Sequence, residues 1–193
     1  MKKNNLLKTF LRKQKENISI TKGKGIYLYS NKGRKYTDLT AGSTGHALLG
    51  WGNKEVINAI NNQIKKFGHV DYKILKDPNR EKLANLLCSK TSSGLNRIFF
   101  VGSSGSEACE AAMKMSYQFF YDTGHKHKKI FISRKQSYHG STTDAISLGD
   151  RPNLNFYKPI LNKNVKKVSE HNQFRHKKSN ETDDQYSLRC VNE

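Results

Sequence analysis

The apolar positions of this 193-residue chain change period along its length. Leu6, Leu7, Phe10 and Leu11 recur at helical spacing within a basic, amphipathic leading segment of about 20 residues. Two β-prone runs follow, Ile26–Tyr29 and Arg34–Leu39, on either side of the turn Ser30-Asn31-Lys32-Gly33, which predicts a hairpin. A glycine-spaced loop covers Gly42 to Gly52. Asn53 can cap a helix over about 54–67, with Val56, Ile57, Ile60, Ile64 and Phe67 on one face. A second helix over about 80–89 turns Leu83, Leu86 and Leu87 inward. The continuous run Arg97–Val101 has the pattern of a buried parallel strand. Gly102–Ser106 turns it into a helix starting near Gly105, for which Gly124 is an apt C′ residue, and Lys129–Ser133 is a second strand. Strand, glycine loop, helix and strand make a βαβ unit, hence a parallel sheet with a ligand at the strand C-termini.

Beyond Pro159 the chain turns polar, and residues 162–181 carry little hydrophobic period. Thr182-Asp183-Asp184-Gln185 is a capping box with acids in the first turn, opening a helix that stops at Glu193. A helix start without a body reads as a chain cut short. No internal repeat occurs.

Composition narrows the classes. No apolar run approaches the ~18 residues of a membrane span. The charged N-terminus lacks the apolar stretch of a secretory signal. Cys88, Cys109 and Cys190 are odd in number and far apart, which suits neither a zinc ribbon nor a disulfide framework and fits a reducing cytoplasm. Lys and Arg number 35 against 16 acidic residues, a net +19 that favours polyanions. The lysines are nevertheless scattered, in pairs such as Lys65-Lys66 and Lys166-Lys167, as on a solvated surface rather than a nucleic-acid footprint.

The densest chemistry lies in Phe99–Lys114, FFVGSSGSEACEAAMK. Ser104 can cap the helix and Glu107 can complete the box. Gly105 admits a ligand close to the backbone. The amides of Gly105 and Ser106, with the Ser106 hydroxyl, can face a phosphate at the positive helix end. Neither a Walker loop nor a dinucleotide fingerprint fits the spacing. From these residues alone, phosphate binding and an ordinary capped strand-to-helix turn stand equal.

That segment resembles the phosphate-binding stretch of the class III (subgroup II) pyridoxal-phosphate aminotransferases, F-F-x-x-S-G-S-E-A-x-E-A-A-x-K. Other landmarks agree in order. Gly25–Tyr29 through Gly33–Asp38 resembles the family's opening hairpin, Leu49–Val56 its L-G-H-x-H-P-x-V helix start, and Ser137–Thr142 its Y-H-G-x-T motif. Trp51, Asn53 and Lys54 depart from the usual histidines and proline, which bears on substrate choice. The resemblance spans about Gly25 to Gly149.

The resemblance implies an α/β fold of the fold type I PLP-transferase kind, present in part. It implies an N-terminal small-domain segment over 1–70, the start of a mainly parallel-sheet, cofactor-binding large domain over 71–161, and a polar tail over 162–193. It implies that Gly105 and Ser106 hold the phosphate of pyridoxal 5'-phosphate, that Ser104 supports the turn, that Tyr138 lies against the pyridine ring, and that His139 and Gly140 shape the loop. Nothing here resembles the family's Schiff-base lysine, its pyridinium aspartate or its second-subunit threonine, so no catalytic residue is expected within the chain. The expectation is the N-terminal part of a cytoplasmic transaminase, a homodimer when complete, moving an amino group between an amine or amino acid and an oxo-acid. A catalytically inactive remnant that only dimerises or binds a phosphate ligand is the alternative. A nucleic-acid-binding protein is a weaker one.

His46 is a candidate substrate-pocket residue with backbone packing as an equal alternative, and Trp51 is either a pocket wall or the anchor of the next helix. His125 and His127 lie in a lysine-rich turn and His171 and His176 in the polar tail; no metal is expected at either pair. Cys109 reads as a small buried residue.

Overall fold

The protein is described by a computed structural model covering residues 18–102 and 104–192. The leading segment expected to be helical lies largely outside them. The chain falls into two compact units, dividing between Lys82 and Leu83.

In the first unit, β1 (Ile20–Lys24), β2 (Tyr27–Ser30) and β3 (Lys35–Thr37) form an antiparallel meander in that order. The expected hairpin is β2–β3, with Leu28 opposite Tyr36. Its turn closes through Ser30 N–H to Arg34 O and Gly33 N–H to Ser30 O. The Lys35 ammonium sits 3.5 Å from the Tyr27 ring centroid, a cross-strand cation–π contact. β1 adds an outer strand that its Thr-Lys-Gly-Lys sequence does not announce. A single π-helical turn, Ala41–Gly45, opens the glycine loop. Helix α1 (Lys54–Ile64) follows, and the Asn53 side chain caps it by accepting from Val56 N–H at 3.1 Å. It stops short of the expected Phe67; residues 65–66 continue only as a turn. Helix α2 (Pro78–Lys90) starts two residues early, with Pro78 in its first position and the Asp77 carboxylate accepting from Asn79 N–H.

The second unit holds α3 (Gly105–Asp122), β4 (Phe131–Arg134), α4 (Thr143–Leu148), β5 (Val165–Val168), α5 (Gln173–His176) and α6 (Asp183–Val191). A 3₁₀ stretch, Pro152–Ile160, lies between α4 and β5. Helix α3 ends where Gly124 indicated, in a Schellman motif: Gly124 N–H donates to Tyr121 O and His125 N–H to Phe120 O. Gly124 has φ +84°, which glycine takes without strain. β4 and β5 pair in parallel, with Ile132 opposite Lys166.

Two expectations differ. Arg97–Val101, read as a strand, belongs to neither sheet among the described residues. A strand is defined by a ladder, and β4 pairs with β5 instead. The segment 162–193, read as a polar tail ending in a helix start, contains β5 and α5 besides α6, which the expected Thr182–Gln185 box opens. Tyr186 of α6 is fully buried, its ring tilted against His171 with centroids 4.9 Å apart, and its hydroxyl accepts from Asn172 N–H at 2.8 Å. Arg189 grips Glu181 through Nε at 2.7 Å and Nη2 at 3.0 Å, a side-on bidentate pairing.

Among the described residues few apolar side chains are buried: Met113, Ala145 and Tyr186. The apolar face of α1 (Val56, Ile57, Ile60, Ile64) is exposed, as are Phe99 and Ile132.

Candidate functional site

The site assembles at the N-terminus of α3. Ser104, in extended conformation, accepts from Glu107 N–H at 3.2 Å, and the Glu107 carboxylate accepts from Ser104 N–H at 3.2 Å. This reciprocal box satisfies the third helical amide and leaves the first two. The N–H groups of Gly105 and Ser106 meet no acceptor among the described residues. Both lie where the helix dipole is positive. A Cβ built on Gly105 meets nothing within 4 Å, so the space beside this turn is open.

Ser106, by contrast, is buried. Its hydroxyl oxygen accepts from Ser141 N–H at 2.9 Å, joining α3 to a loop 35 residues later. A hydroxyl that accepts one bond still has its proton to donate. Asp144 N–H donates to Glu110 Oε1 at 3.2 Å, a second tie between α4 and α3. Between them Gly140 is buried at φ +141°, packed so tightly that a Cβ would stand 2.9 Å from both Ser106 Cα and Ala145 Cβ. His139 is half-buried beside it. Tyr138 is 56% exposed, and the Arg151 guanidinium carbon lies 4.0 Å from its ring centroid. The structure therefore brings Ser104, Gly105, Ser106, His139 and Gly140 together through the Ser141–Ser106 bond, with Tyr138 next in chain.

Lys167 of β5 braces this loop from behind. Its ammonium donates to Ser133 Oγ at 2.9 Å and to the carbonyls of Ser147 and Gly149 at 2.7 Å each. Burial lowers its pKa from the ordinary lysine value, partly opposed by Asp150. Ser141, Arg151 and Lys167 all escaped the sequence reading. Each acts on a partner far along the chain, and none stands out by residue type.

His46 and Trp51 belong to the first unit. His46 is exposed and closes the π-helical turn. Trp51 is half-buried. Its indole N–H donates to Asp38 Oδ2 at 3.0 Å, and it lies on Gly23, where a Cβ would fall 2.6 Å from the Trp51 Cβ. Asp38 also accepts from Gly42 N–H at 2.8 Å and from both Thr40 N–H and Thr40 Oγ–H. The amides of Thr40 and Gly42, chiefly, hold its carboxyl below the usual range. Trp51 thus anchors the glycine loop on the meander, while also lining an open cavity of about 570 Å³ with Thr40, Gly42 and Leu28. Among the described residues no cluster of His, Cys, Asp and Glu could hold a metal ion, and no helix is long and apolar enough to cross a membrane.

The profile of the class-III aminotransferases matches residues 10–193. The chain belongs to that family. An uncharacterized aminotransferase of Schizosaccharomyces pombe is 35% identical over 176 residues, which are 91% of this chain and 38% of that protein. Among solved structures, an omega-aminotransferase from Paracoccus denitrificans superposes with a TM-score of 0.89 at 23% identity, over 98% of this chain and 43% of that one. The omega transaminase of Pseudomonas jessenii in complex with PMP gives a TM-score of 0.82 at 28% identity, over 92% and 39%. The fold is therefore that of the fold type I transaminases, and this class-III chain spans about 40% of the length of these relatives. The antiparallel meander and the parallel β4–β5 pair are its two sheet components.

Proposed function

We propose that this class-III chain binds pyridoxal 5'-phosphate at the first turn of α3, as the N-terminal share of an enzyme moving an amino group between an amine or amino acid and an oxo-acid. The observation that carries the reading is the open turn itself: two amides without an acceptor and free space beside Gly105 among the described residues, and a buried serine hydroxyl, tied to the Tyr138–Gly140 loop. These residues fit a phosphate dianion, which is best held by backbone donors at a helix N-terminus.

When bound, pyridoxal phosphate supplies a carbonyl that accepts the amino group and a ring that takes up electrons. The chain's own contribution is binding and orientation. The amides of Gly105 and Ser106 would hold the phosphate, and Ser106, its oxygen steadied by Ser141 N–H, would add its hydroxyl proton. Tyr138 would stack on the ring, fix its plane and keep water from one face. Gly140 lets that loop close on α3. The chain alone binds without turnover, because no lysine in it stands in the family's lysine motif. When complete, the enzyme is a homodimer acting on a small amino donor and an oxo-acid.

The test is direct binding of inorganic phosphate and of pyridoxal phosphate to the full chain and to Gly105→Asp. The aspartate enters open space, so the variant folds, but its carboxylate occupies the phosphate position and repels it. The parent binds both ligands and the variant neither, with no oxo-acid formed from an amino donor in either case. Equal affinity in parent and variant would refute the cradle. Multiple turnover by the parent would refute the division between binding and catalysis.

A further inference from the structure

The loop bearing Tyr138, His139 and Gly140 leaves the sheet at the end of β4 and returns at the end of α4. Its two ends lie together: Ser137 Oγ–H donates to Arg134 O at 2.6 Å and approaches Leu148 O at 3.1 Å, while Asp150 N–H donates to Ser137 O at 3.0 Å. Helix α4 has six residues, too few to persist without outside support. Its last carbonyls require donors, and those of Ser147 and Gly149 find them in one ammonium.

We propose that Lys167 is the positioning residue of the Tyr138–Gly140 loop. Its three N–H bonds clamp the departing strand, at Ser133, to the C-terminal end of α4, at Ser147 and Gly149. All three ammonium donors are used, and two of the partners, Ser133 and Ser147, are buried. Gly149 lies two residues before Arg151, whose guanidinium covers one face of the Tyr138 ring. Fixing the Gly149 carbonyl therefore sets both the approach of Gly140 to Ser106 and the seat of Tyr138. Lys167 touches no ligand and acts through Ser147 and Gly149. The proposal rests on the reading of α3 as the phosphate site.

The test compares full-length Lys167→Met, which keeps the stem and removes the donors, with Tyr186→Phe, which removes a buried hydroxyl of the same unit that bonds Asn172 and Glu170 and none of the partners of Lys167. Pyridoxal-phosphate affinity is measured well below either melting transition, and exchange of the Ser141 amide is followed alongside. Lys167→Met weakens binding about tenfold, the scale of one lost charge-assisted hydrogen bond, and speeds Ser141 exchange, while Tyr186→Phe lowers the melting temperature and changes neither. A purely stabilising lysine would move both variants alike, which overturns the proposal. If the parent binds no pyridoxal phosphate, the phosphate reading fails, and Ser141 exchange alone decides the clamp. If Lys167→Met does not fold, Ser133→Ala decides it by removing one of the three acceptors: a smaller shift in the same direction supports the clamp, and no shift overturns it.

Discussion

Replacing Gly140 by alanine tests the closest packing in the site. The residue sits at φ +141°, a conformation that side chains rarely adopt. A Cβ there would lie 2.9 Å from Ala145 Cβ and Ser106 Cα and would collide with Ser106 Oγ. None of these neighbours gives easily. Ala145 is fully buried in α4, and Ser106 belongs to the first turn of α3. Strain at such a backbone position costs about 1–3 kcal/mol. Forcing one extra carbon into a packed site costs about 1–3 kcal/mol more. The stiffer unfolded chain returns about 0.4–1 kcal/mol. The sum is a destabilisation of roughly 1–6 kcal/mol for the second unit, a large part of a small domain's total.

The assay is amide exchange across Ala145–Leu148 in the full chain. A loss of about 2 kcal/mol speeds exchange roughly thirtyfold where opening governs it. Trp51 is the single tryptophan and belongs to the first unit, so its fluorescence serves as an internal control that stays unchanged. Exchange in Gly140→Ala as slow as in the parent would refute the packing argument, since it would mean that the loop relaxes away from α3 at no cost.

Thr182→Ala removes the N-cap oxygen that accepts from Gln185 N–H at 3.2 Å, and destabilises α6 by about 1 kcal/mol, read as faster exchange of its first turn. Arg189 and the Lys178 amide hold the Glu181 carboxyl at about 2, against 4.5 ordinarily; its folded pKa is depressed, so its stabilisation is present above pH 4.5 and is lost as pH falls toward 2. Protection of α6 at position 189 should fall in that window, and fall less in Arg189→Met, where only the Lys178 amide still holds the carboxylate. Asp38→Ala deprives the Trp51 indole of its acceptor, and its emission moves to longer wavelength as the ring gains access to water.

What the sequence made legible is what neighbouring residues settle among themselves. Asn53 over Val56, Ser104 with Glu107, Thr182 with Gln185 and the Gly124 end of α3 are all bonds within five residues. The β2–β3 hairpin is legible for the same reason. Of the two strands that pair across a long stretch of chain, β4 was legible in its apolar run and β5 was not. Val165-Lys166-Lys167-Val168 carries two lysines in four residues and reads as surface, yet Lys167 satisfies its charge on acceptors 18 to 34 residues earlier. Arg97–Val101 has the composition of a buried strand but not the ladder. The candidate site divides likewise. The capped turn was visible in the residues, whereas its pairing with Tyr138 and Gly140 came only from family resemblance, because nothing local in Ser141 points to Ser106.

This division bears on what the chain can do by itself. The bonds described at the first turn of α3 and its neighbouring loop lie within the second unit: the Ser104–Glu107 box, the Ser106–Ser141 tie, the Asp144–Glu110 tie and the Lys167 bonds. None of them uses the exposed apolar residues Phe99, Ile132 or the face of α1. Affinity at a helix N-terminus depends on a few amides held in place, not on how large a core stands behind them. On the function proposed above, phosphate binding and catalysis are physically separable: the first would use contacts that this chain makes with itself, and the second would need a proton-transfer group facing the cofactor, which none of these contacts supplies.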